Sequence, residues 1–138
     1  MAFGEEATQE ETFLDVETGE ATEPKAVSAG EHKLRIVGAT IDIDKNGHPY
    51  FLPRFEIVGK PTARDFTKFH GLPHEDLDEK QLNAALWNLG QFKACFQVPA
   101  GKIPLNETVG LEGWAILGMK EDAEYGEQNT LRKYILPK

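Results

Sequence analysis

The chain has 138 residues, a formal net charge of −8 at pH 7 and a pI of about 5.0. One cysteine cannot form an intramolecular disulfide, and no apolar run is long enough to span a membrane, so we expect a soluble cytoplasmic protein without membrane contact. Taken as a single number, the acidic pI argues against nucleic-acid binding, because phosphates require positive potential.

The negative charge is concentrated at the N-terminus. Residues 1–30 contain eight acids and one lysine, so this segment carries −7 and residues 31–138 carry only −1. Few aliphatic residues and an excess of like charge predict a disordered acidic arm over residues 1–29. The remaining residues, 30–138, have the size of one domain. An apolar island at Phe13, Leu14 and Val16 is either solvated or a short peptide that docks on a protein partner.

Alternation of apolar and polar residues predicts a β-hairpin at the start of the domain. One strand runs from His32 to Ile43, with a bulge or bend at Gly38, and the next runs from His48 to Val58. The connection is Asp44 to Gly47, where an Asn-Gly pair accepts the positive φ angles of tight primed turns. This pattern indicates an antiparallel pair.

Prolines qualify the prediction for the second strand. Pro49 and Pro53 have no N–H for a ladder, so the strand is expected at a sheet edge or broken by a bulge. A third short strand is predicted from about Ala63 to His70.

A helix is predicted from Glu79 to Phe96. Asp78 is a suitable N-cap, and Gln81 completes a capping box. Apolar residues recur at helical spacing, which predicts a core-facing stripe at Leu82, Ala85, Leu86, Leu89, Phe92 and Phe96.

Two strands are predicted after the helix, over Thr108 to Lys120 and Asn129 to Leu136. Three strands, a helix and two strands is the element order of an OB-fold, a five-stranded, partly open barrel with its helix between strands three and four. We therefore predict a mainly β OB-fold barrel with one α-helix.

The outward strand positions interleave cations with aromatic rings. Single-stranded nucleic acid is bound in this way, because cations track the phosphates and rings stack on unpaired bases. The alternative is that Phe66 is core, that Trp114 or Tyr134 closes the barrel, and that the cations are only solubilising. The predicted nucleic-acid-binding residues are Lys33, Arg35, Tyr50, Arg54, Arg64, Phe66, Lys68, Trp114, Lys120, Arg132 and Tyr134.

Catalytic and metal sites are not predicted. His70, His74 and Cys95 are soft ligands, but a structural metal site needs four, so we predict neither metal nor cofactor. The acids of residues 75–79 fit a helix N-terminus, where the dipole favours negative charge. Since there is no phosphate-binding glycine loop or activated nucleophile, we do not expect an enzyme.

Several segments of the domain resemble one family of phage proteins. They are Gly30 to Ile36, Tyr50 with Phe55 to Val58, Leu86 to Gly90, Gly110 to Gly113, and Asn129 to Ile135. The resemblance is to phage-encoded OB-fold single-stranded-DNA-binding proteins, long catalogued as a domain of unknown function beside replication and recombination genes. It implies a protein of the host cytoplasm that coats single strands. The chain departs from familiar single-strand binders because its acidic segment is N-terminal.

Two functions follow as hypotheses. The first is sequence-tolerant binding of single-stranded DNA in phage-type replication or recombination. The second is a protein-interaction or DNA-mimic module, in which the acidic arm engages a nucleic-acid enzyme. The choice between DNA and RNA and the oligomeric state, including a homo-oligomer, stay open.

Overall fold

The structure, a computed structural model, describes residues 12–138. Over these residues the chain is mainly β, with one antiparallel sheet and one α-helix, as the sequence predicts. In chain order the elements are β1 (Gly30–Ile43), β2 (Pro49–Ile57), β3 (Phe66–Thr67), β4 (His70–Gly71), α1 (Glu79–Phe96), a 3₁₀ helix (Leu105–Thr108), β5 (Glu112–Asp122) and β6 (Gly126–Ile135). Over residues 12–138, no helix has both the length and the apolar character needed to cross a bilayer.

The sheet has six strands in the order β3-β2-β1-β5-β6, and β4 also pairs with β2. β1 pairs with β5 over residues 30–35 and with β2 over residues 34–43, and the pairing with β2 contains a bulge between Ile36 and Gly38. The predicted bulge at Gly38 is confirmed. The sheet has six strands where five are predicted, and it is not closed into a barrel.

The third predicted strand is interrupted. Instead of one strand from Ala63 to His70, the chain forms two strands of two residues each, β3 and β4. The carbonyl of Pro53 accepts the N–H of Lys68 at 3.2 Å, and that of Pro49 accepts the N–H of Leu72 at 3.1 Å. Neither proline has an N–H to donate to this segment, so the hydrogen-bond ladder between β2 and the third-strand region is interrupted at each proline.

The turn between β1 and β2 lies where it is predicted but has a different type. Gly47 N donates to Asp44 O at 3.0 Å, and Gly47 has a φ of 82°. Asn46 has a negative φ, so this is not a primed turn, which needs a positive φ at both central residues or at the first. The Asp44 carboxylate accepts the N–H groups of Asn46 and His48, each at 2.9 Å. These bonds fix the position of His48 at the start of β2.

The predicted capping box of α1 is confirmed. Gln81 N donates to the Asp78 carboxylate at 2.8 Å, and Asp78 N donates to the Gln81 side chain at 3.0 Å. The helix ends before Gln97, which has a left-handed φ of 53°.

Only the C-terminal half of α1 reaches the core. Phe92, Cys95 and Phe96 are buried, whereas Leu82 and Leu86 are exposed, which corrects the predicted core stripe for these two leucines. The buried side of the sheet supplies the rest of the core, at Leu34, Ile36, Phe51, Phe55, Ile57, Phe66, Ala115, Leu117, Leu131 and Tyr134. The first turns of the helix extend past this core toward the loop that follows β4.

The domain begins before residue 30. Lys25 N donates to Thr62 O at 3.2 Å, and Arg64 N donates to Lys25 O at 2.8 Å. Val27 exchanges two hydrogen bonds of 2.9 Å with the Asn129 side chain. Residues 24–28 therefore run from the segment before β3 to β6, and the folded domain begins at residue 24. Residues 1–11, with four of the acids of the arm, lie outside the described residues.

Candidate nucleic-acid interface

The predicted site residues do not lie together on one surface. Some are on the outer face of β1 and β5, some are buried, and some line a groove between β3, β6 and α1.

Cations on the outer face are paired with acids. Arg35 donates to Glu112 through Nε and Nη2 at 2.9 and 2.7 Å and to Glu56 through Nη1, and Lys33 Nζ lies 3.1 Å from Glu112. Hydrogen bonds from Arg35 and then Lys33 hold the pKa of Glu112 below its usual range. Trp114 lies opposite Lys33 on β5 and is half-exposed. This face is close to neutral, so it offers little positive potential to a phosphate chain.

Arg64 has a structural position. Its Nη1 donates to the carbonyls of Tyr125 and Glu127 at 2.8 and 3.3 Å, and its Nη2 donates to the carbonyl of Pro24 at 3.2 Å. Glu23 lies 3.8 Å from the same guanidinium. Arg64 thus joins the N-terminal segment to the turn between β5 and β6.

Two of the predicted stacking rings belong to the core, which corrects their expected exposure. Phe66 is 8% exposed and packs on Phe55, with ring centroids 5.6 Å apart. Tyr134 is 6% exposed, and its hydroxyl forms a hydrogen bond of 2.7 Å with His70 Nε2. Burial raises the pKa of Tyr134. Neither ring presents a face on which a base could stack.

A cleft of about 390 Å³ lies between β3 and the far ends of β5 and β6. It brings together three of the predicted cations, Arg54, Lys68 and Lys120. Among the described residues that line this cleft, Asp65 is the only acid, and its carboxylate lies 3.5 Å from Arg54 Nε. The lining is therefore cationic although the whole protein is anionic.

A second cavity, of about 290 Å³, adjoins this cleft between β6 and α1. Lys68 and Leu131 line both. Arg132 and Lys133 line the second cavity, and Arg132 is the extra residue of a β-bulge in β6. A bulge redirects a side chain, which explains how two consecutive residues of one strand line the same cavity. We call the two cavities together the basic groove, lined by Arg54, Lys68, Lys120, Arg132 and Lys133.

Two exposed rings lie along the basic groove. Phe69, 58% exposed, lines the cleft and stacks on Tyr50, with centroids 5.2 Å apart and planes inclined by 29°. Trp87, 66% exposed, projects from α1 into the second cavity. Sequence reasoning did not select Phe69, Trp87 or Lys133 as site residues. For Trp87 a signal was present, because it falls off the apolar stripe of the helix.

Of the predicted site residues, then, Arg54, Lys68, Lys120 and Arg132 lie along one groove, with Tyr50 behind Phe69. Comparison of the chain with protein-family models and with curated proteins finds no match. Function is therefore inferred from the geometry of the groove.

Proposed function

We propose that this protein binds single-stranded DNA with little sequence preference through the basic groove. The proposal rests on two adjoining cavities whose linings contain five cations and the exposed rings of Phe69 and Trp87. Cations of this kind follow a sugar-phosphate backbone, and an exposed ring stacks on any of the four bases. A groove of this composition favours strands whose bases are unpaired, since a duplex hides the faces of its bases.

We further propose that the fold is an open variant of the OB-fold. The order β3-β2-β1-β5-β6, with the helix between the third-strand region and β5, is consistent with that topology. A barrel left open between β3 and β6 is compatible with two features of the sheet. β1 is long and pairs with both β2 and β5, and the third strand is broken. The groove follows this opening.

The proposed role is non-enzymatic. The protein would coat single strands during phage-type replication or recombination in the host cytoplasm, in line with the resemblance of its strand and helix segments to phage single-strand binders. Groove cations give this binding its salt dependence, because each neutralised phosphate releases a counterion.

Tryptophan fluorescence tests the proposal, because the two tryptophans lie on different surfaces. Oligo(dT) is expected to quench the W114F variant, in which only Trp87 emits, and to leave W87F nearly unchanged. The quench should reverse as salt is added. Quenching confined to W87F would move the interface to the outer face of β5 and contradict the proposal.

Replacing the exposed groove rings with alanine measures how much each ring contributes to the affinity for DNA. F69A and W87A are each expected to weaken oligo(dT) binding by about 1 to 3 kcal/mol, or roughly 5- to 150-fold, because one stacked base is lost. W114A is the matched control and should change the affinity little. Thermal unfolding curves of the three variants separate lost contacts from lost folding.

A second candidate function, binding of a protein partner by the acidic arm, is supported by the exposure of its apolar residues. Phe13, Leu14 and Val16 are 83%, 96% and 71% exposed, so this apolar island of the acidic arm is available to a protein partner. The proposed partner is a replication or recombination enzyme with a basic surface, and the arm is then a recruiting peptide or DNA mimic.

Deletion of the acidic arm tests whether the arm also competes with DNA for the basic groove. The deletion should end at residue 22, because residues 24–28 are bonded into the domain. If the arm occupies the basic groove as a tethered anion, the truncated protein binds oligo(dT) more tightly at low salt. Equal or weaker affinity of the truncated protein would eliminate self-competition and leave partner recruitment.

A further inference from the structure

Two histidines and an aspartate meet where the β1–β2 turn approaches the loop between β4 and α1. His48 comes from the turn, and His74 and Asp76 come from the loop. One ligand atom from each side chain lies within 4.8 Å of the others. The His48 and His74 rings stack with centroids 4.0 Å apart, and His48 Nε2 lies 3.1 Å from Asp76 Oδ2.

Backbone contacts fix both sides of this cluster. On the turn, His48 N donates to the Asp44 carboxylate, and Asp44 N donates to His48 O, each at 2.9 Å. On the loop, Leu72 N donates to Pro49 O at 3.1 Å, and the Asp78 cap of α1 follows two residues after Asp76. The three side chains are therefore brought together by the fold.

We propose that His48, His74 and Asp76 bind a transition-metal cation of the zinc class. Bonds of about 2.0 to 2.1 Å in a tetrahedral site place neighbouring ligand atoms about 3.3 Å apart. The 3.1 Å separation of His48 Nε2 and Asp76 Oδ2 is close to this spacing, so a cation can replace the proton that these atoms now share. The ligand atom of His74 lies within 4.8 Å of the other two. Its ring stacks on His48 and accepts the N–H of Asp76 at Nδ1, so it would have to turn to join them around a cation.

The donor set selects the class of metal. Two imidazoles and one carboxylate suit zinc, copper or nickel, whereas magnesium and calcium prefer oxygen ligands alone. The Asp44 carboxylate, which accepts the backbone N–H groups of His48 and Asn46 at 2.9 Å, lines the same cavity as the two imidazoles. Three protein ligands leave one tetrahedral position for water or another ligand.

His70 and Cys95, the other soft ligands considered in the sequence, do not belong to this cluster. His70 is buried and bonded to Tyr134. Cys95 is also buried, its thiol donates to Trp114 O at 3.2 Å, and burial raises its pKa to about 11. His48 is the histidine that lies beside His74, with ring centroids 4.0 Å apart.

The site adjoins the basic groove without depending on its function. A cavity of about 340 Å³ is lined by His48 and His74 and also by Lys68 and Phe69. A bound cation would join the β1–β2 turn to the loop before α1 and so brace one wall of the groove. This inference stands or falls independently of DNA binding.

Metal titration of the full chain tests the proposal. Chelator-treated protein is titrated with Zn²⁺ by calorimetry and with Co²⁺ by visible absorption. The expected result is one equivalent bound, with a Co²⁺ spectrum of a site that contains nitrogen ligands. H48N/H74N should lower the affinity at least tenfold and abolish that spectrum, and D76N should lower the affinity. E75Q, which removes the neighbouring exposed carboxylate, is the matched control and should bind like the unaltered chain.

If H48N/H74N binds Zn²⁺ as tightly as the unaltered chain, the metal is held by other carboxylates and the proposal is wrong. Absence of Zn²⁺ binding to the unaltered chain would also overturn the proposal. A second measurement uses the unaltered chain and does not depend on the folding of a variant. Paramagnetic Co²⁺ should broaden the imidazole NMR signals of His48 and His74 before those of His32 and His70. Simultaneous broadening of all four would contradict the site.

Discussion

Replacing Phe96 with alanine is expected to lower the free energy of unfolding by about 3 to 5 kcal/mol. Phe96 is 1% exposed, stacks on Phe55 with centroids 5.4 Å apart, and meets the edge of Tyr134. Truncation removes these contacts and leaves a cavity between α1 and the sheet that the surrounding side chains fill only in part. Urea denaturation measures the loss.

Leu86 provides the control within the same helix. It is 52% exposed, so L86A should change the free energy of unfolding by less than about 0.5 kcal/mol. Comparable losses in F96A and L86A would mean that the N-terminal half of α1 is buried, against the fold described.

Acidification is expected to destabilise the protein through His70. This ring is 4% exposed and lies against Phe51 and Phe92. Burial, followed by the positive charge of Lys68, lowers the pKa of His70 to about 4. An unfolded histidine has a pKa near 6.5, so between pH 6.5 and 4 the unfolded chain binds a proton that the native chain does not. Stability is therefore complete above about pH 6.5 and falls by roughly 3 kcal/mol as the pH approaches 4.

The variant H70Q isolates this contribution. Glutamine keeps a polar group near the Tyr134 hydroxyl but does not titrate. Denaturation at several pH values should show that H70Q loses roughly 3 kcal/mol less than the unaltered chain between pH 7 and 4. Protonation of carboxylates with lowered pKa values, such as those of Glu112 and Asp122, also lowers the stability of the protein on acidification. These carboxylates are present in both H70Q and the unaltered chain, so their effect cancels in the comparison. Parallel pH profiles would show that His70 is not protected from protonation.

Local patterns in the sequence predict the elements of this fold well. Alternation places Phe51, Phe55 and Ile57 on one face of β2, and all three are buried. The capping box places the start of α1 at Glu79, where the structure has it. These features depend on neighbours within a few residues, so a single sequence contains the information.

Features that depend on distant neighbours were harder to predict. Helical spacing cannot tell which turns of α1 reach the sheet, so the exposed Leu82 and Leu86 looked like core residues. Glu112, one of the two acids that pair with Arg35, is 77 residues away in the sequence. The bulge that redirects Arg132 arises from pairing between β5 and β6. The proposed interface therefore lies in the groove and not on the outer face of the sheet.

If the basic groove of this anionic protein binds single strands, the salt dependence of oligo(dT) binding depends on the groove cations. Fluorescence anisotropy should be compared for the unaltered chain, the groove variant K68Q/K120Q and the control K33Q/K60Q, which has the same net charge. Each lost phosphate contact lowers the slope of log K against log [salt] by about 0.7 for single strands. We expect a shallower slope and weaker binding only for K68Q/K120Q. Equal effects of the two variants, or no binding of oligo(dT) at low salt, would contradict the account.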